Sequence, residues 1–205
     1  MKIPDADISA LVVHYRTKDL IRDSVLAFRR FYPGMALLIV DNSSFDDSSR
    51  WIFDFAESDG NTVAVFNNFN LHHGPSMHRG VLYLSAHRYI YMFDSDLNLF
   101  RAGLIEAMLS AALARPDFYG VGNCEGAKGV QNYLHPRCML LNRARYFDFP
   151  PIKHDGGPMC DAMQKIHALG RTDLLVEFDC FAYARHVRQG TRRRHGSGNG
   201  TKREK

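Results

Sequence analysis

Two carboxylates one position apart, Asp94 and Asp96 in Asp94-Ser95-Asp96, follow directly on an apolar run, Tyr89-Ile90-Tyr91-Met92-Phe93. Like charges at the end of a buried strand repel, and a divalent cation set between them and a ligand's phosphates relieves that cost. A hard oxygen donor set of this kind suits Mn2+ or Mg2+. The plain alternative is a solvated acidic turn, because D-x-D is a short pattern; its place at the end of an apolar strand favours the metal. Another carboxylate, Asp41, ends the run Ala36 to Val40 and opens Asp41-Asn42-Ser43-Ser44. It can accept a hydrogen bond from a base N–H or a ribose hydroxyl, or it can cap the next helix and shape a turn. Between the two sites, Leu71 to Gly80 gathers His72, His73, His78 and Arg79 at a helix start. Backbone N–H groups and the helix dipole favour an anion there, and Arg79 or His78 could reach a phosphate. Any one of these histidines alone reads as an ordinary surface or core residue; the cluster points to function.

These groups must be held by the elements around them. Ser9 to His14, Ala36 to Val40, Thr62 to Phe66 and Tyr89 to Phe93 are short apolar runs that read as buried strands. Helical spacing covers Leu20 to Phe31, Asp46 to Ser58, Pro75 to His87 and Arg101 to Ala114. Further on, Phe118 to Gly122 and Cys138 to Asn142 read as short strands, Met159 to Leu169 as a helix and Leu174 to Tyr183 as an extended stretch. Alternation of this kind predicts an α/β fold, a mostly parallel sheet covered on both faces. Such sheets bind ligands outside the carboxyl ends of their strands, which is where Asp41 and Asp94 fall. The first strand is followed by His14-Tyr15-Arg16-Thr17-Lys18 without a glycine-rich turn. That argues against a dinucleotide-binding Rossmann site and a P-loop, and less strongly against a methyltransferase.

The ordered set of a strand ending in Asp-Asn-Ser-Ser, then Asn-x-Asn-x-x-His-Gly-Pro-Ser-x-x-Arg-Gly, then a strand running into Asp-Ser-Asp, resembles the GT-A glycosyltransferases of family 2. The resemblance spans about residues 8 to 110 well and the rest more loosely. It implies a GT-A, nucleotide-diphospho-sugar transferase fold, a Rossmann-like and mostly parallel sheet flanked by helices. It further implies an inverting, metal-dependent transfer of a sugar from a nucleotide donor, UDP-linked in the commonest case, to an acceptor hydroxyl. By that resemblance His14, Tyr15, Arg16 and Asp41 would contact the base. Asp94 and Ser95 would lie by the ribose and the metal, and Asp96 would bind Mn2+ or Mg2+ directly. His73, Gly74 and Arg79 would line the diphosphate or the ribose.

An inverting transfer also needs a general base for the acceptor's proton. The family's second acidic motif at a helix start points to Asp161 or Asp155, although its usual Glu-Asp pair is missing here. Asp161 is preferred slightly; helix N-terminal electrostatics explains either residue equally well. The segment Tyr183 to Thr191 resembles the late His-x-x-x-Gly-Thr segment of related transferases, which makes His186 a candidate third metal ligand. A degenerate nucleotide-sugar-binding module and a nucleotidyltransferase are the competing readings, the latter weakened by the missing glycine-rich loop after strand one.

With 205 residues and 45% hydrophobic residues, the chain is large and apolar enough for a self-sufficient globular domain, expected over residues 1–190. The four cysteines lie far apart with no C-x-x-C, which suits a reducing cytoplasm. No apolar leader and no membrane-length run occurs in the sequence as given. The net charge of +4 is a property of the tail: from Arg188 onward seven Lys/Arg face one Glu, which leaves −2 for the rest. Residues 191–205 contain nothing apolar and are expected to be a disordered, basic terminus. They suggest at most peripheral contact with an anionic membrane surface, and without interleaved aromatics they do not suggest nucleic-acid binding.

Overall fold

The computed structural model describes residues 7–115, 117–127, 130–153 and 157–187. Asp155 and the basic tail lie outside the described residues. In chain order the elements are β1 (Ile8–His14), α1 (Lys18–Phe31), β2 (Ala36–Asp41), α2 (Asp47–Ser58), β3 (Thr62–Phe66), α3 (His73–Tyr83) and β4 (Tyr89–Asp94). There follow β5 (Leu97–Leu99), α4 (Leu104–Leu113), β6 (Gly120–Ala127), β7 (Val130–Asn142), α5 (Arg143–Tyr146), α6 (Cys160–Ala168), β8 (Leu175–Glu177) and β9 (Ala184–His186).

Seven strands form one sheet in the order β3-β2-β1-β4-β7-β6-β8, and β5 and β9 form a separate pair. Strands β1 to β4 are mutually parallel, and β7 runs against both β4 and β6. The parallel half needs apolar side chains on both faces, which is why β1 is apolar at almost every position. Ala10 and Val12 face one core with Val25 and Phe28 of α1 and Met108 of α4. Leu11 and Val13 face the other with Met77 and Val81 of α3 and Met163 of α6. A Cβ on Gly80 would fall 2.4 Å from Leu11 Cδ1, so glycine lets α3 lie close against β1.

Register aligns the candidate groups. His14 pairs with Asp41 across β1 and β2, and Val13 pairs with Asp94 across β1 and β4. All three polar residues therefore stand at the carboxyl ends of adjacent parallel strands, as expected for a ligand edge.

The C-terminal half departs from the sequence expectation. Residues 97–99, outside every element read from the sequence, form a strand by pairing with β9, and α4 starts at Leu104 rather than Arg101, after Gly103, whose φ of 86° is left-handed. The two short strands expected near residues 120 and 140 are parts of one long hairpin. The extended stretch expected over Leu174 to Tyr183 holds only β8 and a 3-10 turn at Cys180–Ala182, and β9 follows it. Of these differences, the β5–β9 pair joins segments far apart in sequence.

Candidate active site

The end of β4 is the centre of the site. Ser24 of α1 donates to the carbonyl of Leu97 at 2.6 Å, pinning the chain just past Asp96. Beyond it, Leu97 pairs with His186, and the Val187 N–H donates to the Asp96 carbonyl at 3.0 Å. This cross-strand pair carries the His186 imidazole onto both carboxylates. Its Nε2 lies 2.9 Å from Asp96 Oδ1 and 3.3 Å from Asp94 Oδ2. One ligand atom from each of the three residues falls within 4.8 Å of the others. On the far side of Asp94, His73 at the start of α3 brings Nε2 to 3.6 Å from Oδ1, too long for a hydrogen bond. Ser95 is buried between the two aspartates.

Burial works against ionisation of Asp94, but the hydrogen bond from His186 and the charges of His73, His135 and His186 outweigh it and hold the carboxyl at about 2. Burial likewise opposes protonation of His186, and its hydrogen bonds to Asp94 and Asp96 overcome that and raise it to about 9. A protonated imidazole therefore bridges the two carboxylates.

These residues fit a divalent cation. Asp94 Oδ1 and His186 Nδ1 are buried without a hydrogen-bond partner among the described residues. Two carboxylates and one imidazole make a mixed oxygen and nitrogen donor set that suits Mn2+ and accommodates Mg2+. The protein supplies two negative charges where a cation would sit, so holding one removes their mutual repulsion.

The rim above β1 and β2 is built from polar residues that bond to one another. His14 is fully buried, whereas the resemblance had implied that it meets the base. Its Nε2 lies 2.7 Å from the Ser48 hydroxyl, which itself donates to Asp46, and its Nδ1 lies 3.2 Å from Thr17 Oγ1. That arrangement suits a neutral ring protonated on Nε2, and burial lowers its pKa to about 4 against the pull of Asp41 and Asp46. Asp41 is buried as well, accepting from the Ser44 N–H at 3.1 Å and from the hydroxyls of Ser44 and Ser49. Tyr15 and Arg16 are the accessible members of this loop. The Arg16 guanidinium stacks on the Tyr15 ring at 5.3 Å, and its backbone N–H donates to Ser44 Oγ at 2.9 Å.

Asn42, which the sequence reading left without a role, ties the next two loops together. Its Oδ1 accepts from Asn67, from Ser76 and from the Leu71 N–H, and its Nδ2 donates to Asn70. Arg79 donates to Asn67 Oδ1 at 2.5 Å and to the Tyr83 hydroxyl at 3.0 Å, so it also braces this rim. Gly74 is buried in the first turn of α3, beside His73.

Asp161 sits in the first turn of α6, half-buried, with Lys153 Nζ 2.8 Å from its Oδ2. The head of α6 is held by Tyr133 of β7, whose hydroxyl accepts the Met159 N–H at 3.2 Å. Burial raises the Tyr133 hydroxyl against the bond from Met159, and the charges of Cys160 and Asp94 add to it. His135, beside it, escaped the sequence reading because no local pattern marks it.

Residues 9–172 match the profile of glycosyl transferase family 2. The chain belongs to this family. No curated protein matches it. Among solved structures, a glucosyl-3-phosphoglycerate synthase from Mycobacterium tuberculosis with Mn2+, UDP and glucosyl-3-phosphoglycerate aligns with a TM-score of 0.65 at 16% identity, covering 88% of this chain and 72% of that one. The mannosyltransferase PcManGT from Pyrobaculum calidifontis, with GDP-Man and Mn2+, aligns at 0.64 and 13% identity over 84% of this chain and 56% of its own. TarS of S. aureus, with UDP-GlcNAc, aligns at 0.59 and 14% identity over 77% and 53%. This family 2 chain thus spans about half the length of the mannosyltransferase and of the TarS chain. The shared fold is the GT-A sheet.

Proposed function

We propose that this glycosyltransferase moves a sugar from a nucleoside-diphosphate donor, UDP-linked in the first instance, to an acceptor hydroxyl with inversion at the anomeric carbon. The observation that carries the reading is the convergence of Asp94, Asp96 and His186 within 4.8 Å at the ligand edge of the sheet. These three would hold Mn2+ or Mg2+, and the bound cation would neutralise charge on the leaving diphosphate. Relatives solved with Mn2+ and with UDP- or GDP-linked ligands support the assignment.

Tyr15 and Arg16 offer the exposed surface for the base, and His14 and Asp41 support that surface from beneath through Ser44 and Ser48. The first turn of α3, with His73 and Gly74, flanks the diphosphate, and Arg79 and Asn67 hold that turn in place. Asp161 takes the acceptor's proton as its oxygen bonds to the anomeric carbon, and the electron pair of the broken sugar–phosphate bond leaves on the diphosphate. Lys153 beside Asp161 favours the ionised form that a base needs. No helix among the described residues is long and apolar enough to cross a membrane, and the basic tail is proposed to allow peripheral contact with an anionic surface.

A thermal-shift screen of UDP, GDP and their sugar conjugates, each with Mn2+ and with EDTA, tests the reading. A stabilisation that needs both metal and nucleotide is expected, about 2.7 kcal/mol at a hundredfold excess over Kd. Asp96→Asn should abolish it. A wild-type protein that no nucleotide stabilises in Mn2+ would overturn the reading.

A further inference from the structure

The sheet has two ends, and they are finished differently. One is β8, three residues long and closed by Glu177. The other is β3, five residues, Thr62-Val63-Ala64-Val65-Phe66, with no charge and no proline. Such a strand offers its outer backbone groups to another strand, and sheet edges usually carry lysine, proline or a bulge to prevent that. No strand among the described residues pairs with the outer edge of β3. Beside it runs a groove of about 460 Å3 between α2 and β3, lined by Phe53, Ala56, Glu57, Val63 and Phe66. Three of its apolar side chains are exposed, Val63 at 62%, Phe53 at 50% and Phe66 at 39%.

The direction of the outer backbone groups selects what fits. In a parallel ladder, alternate residues turn both N–H and C=O to the same neighbour. The Asn61 carbonyl accepts from Leu37 and the Asn67 N–H donates to Asp41, so positions 61, 63, 65 and 67 face β2. Thr62, Ala64 and Phe66 therefore turn theirs outward, except the Thr62 N–H, which donates to the Asp59 carbonyl. This outward set is symmetric about Ala64, so an antiparallel strand of the same sequence matches it. Each Ala64 N–H then meets the other Ala64 carbonyl, and each Phe66 N–H meets the other Thr62 carbonyl. Ala64 faces the core beneath α2 and Val65 the opposite core. On that opposite face the exposed Val63 falls across from the second copy's Val65, a β-branched pair.

The charges of α2 agree with the same axis. The chain turns back at residues 59–61, so α2 runs antiparallel along β3. From Thr62 to Ala64 is roughly 7 Å along the strand, a length that about four to five helical residues cover. Counted back from Ser58, Ala64 is level with the middle of the stretch from Arg50 to Glu57. These two residues stand two turns apart on one side of the helix. A two-fold axis through Ala64 therefore sets Arg50 of each copy opposite Glu57 of the other, and it closes the groove over Phe53 of both. Arg50 is exposed and bonded only along its own helix, to Asp54 at 2.9 Å.

We propose that the chain forms a two-fold dimer through the outer edge of β3, which joins two sheets into one and lays α2 beside its copy. The interface is isologous and closes on itself. The two ligand edges then point in opposite directions.

Sedimentation velocity of the full chain from about 1 to 100 μM tests this, and a dimer is expected to form within that range. Val63→Lys places a charge on the edge, and Ala64→Pro removes the N–H at the axis. Each should weaken the dimer by at least about tenfold. Arg50→Glu should weaken it about threefold, and Arg50→Glu combined with Glu57→Arg should restore it to within about twofold. Amide exchange at Ala64 and Phe66 should slow as the concentration rises. A wild-type chain that stays monomeric at the top of the range would overturn the proposal and leave the edge to a different partner. A dimer indifferent to Val63→Lys and Ala64→Pro would overturn it too, because its contact lies elsewhere. Should Ala64→Pro not fold, Val63→Lys and the charge-reversed pair decide. Failure of that pair to restore the dimer refutes the antiparallel register and the proposal with it.

Discussion

Raising the pH from 7 to 8 should tighten Mn2+ binding by about tenfold, because the ion must displace a proton from His186. The two carboxylates raise this imidazole to about 9, so at neutral pH it is almost fully protonated, and only its neutral form can ligate a metal. Two pH units below that value, deprotonation costs about 2.7 kcal/mol of the intrinsic binding energy. An ordinary histidine near 6.5 would cost only a few tenths, and its affinity would be nearly flat over the same interval. Titration calorimetry at pH 7 in buffers of different ionisation enthalpy should report about one proton released per Mn2+ bound. Mg2+ should show the same dependence with weaker binding. Mn2+ affinity that stays constant from pH 7 to 8, with heats independent of the buffer, would refute the reasoning. It would mean that the carboxylates bind the ion while His186 keeps its proton.

In the metal-free protein the same group contributes stability that is fully present below pH 6.5 and is lost as the pH rises through about 9, which chemical denaturation across that range should show. His14 acts in the opposite direction. Its folded value of about 4 lies below that of the unfolded chain, so between pH 6.5 and 4 only the unfolded chain takes up the proton. Stability should fall by up to about 3 kcal/mol as the pH drops through that window, and His14→Gln should flatten the slope. Gly122→Ala would put a Cβ 2.8 Å from the Cys138 carbonyl, a backbone atom that no rotamer change can move. A loss of about 1–3 kcal/mol in urea denaturation is expected, and a neutral result would mean that β6 and β7 separate easily there. Asn42→Ala removes the acceptor shared by Asn67, Ser76 and the Leu71 N–H. It should cost about 2–3 kcal/mol and speed amide exchange at Leu71, whereas unchanged exchange would show that the loop holds without Asn42.

Much of this site was legible in the chain itself. An apolar run that ends in Asp-Ser-Asp states both the strand and the charge at its tip, since burial on two faces demands the one and repulsion demands a partner for the other. The parallel half, from β1 to β4, follows from alternating apolar runs and helical spacing, which are local properties. The polar residues of Asp41 to Ser44 and of Asn67 to Arg79 were equally visible, but their division of labour was not. Whether such a residue faces a ligand or bonds to its neighbours depends on packing, and here His14, Asp41 and Asn42 turn inward.

Tertiary structure decided the rest. His186 reaches Asp94 from 92 residues away only because β9 pairs with β5, and β5 is too short to announce itself as a strand. The bulge of β7 just beyond the end of β4 is likewise set by its pairing with β6. The raised pKa of His186 has the same origin. A side chain's type and its neighbours in sequence set what it can donate or accept, but charges brought together by distant pairings set which proton it keeps.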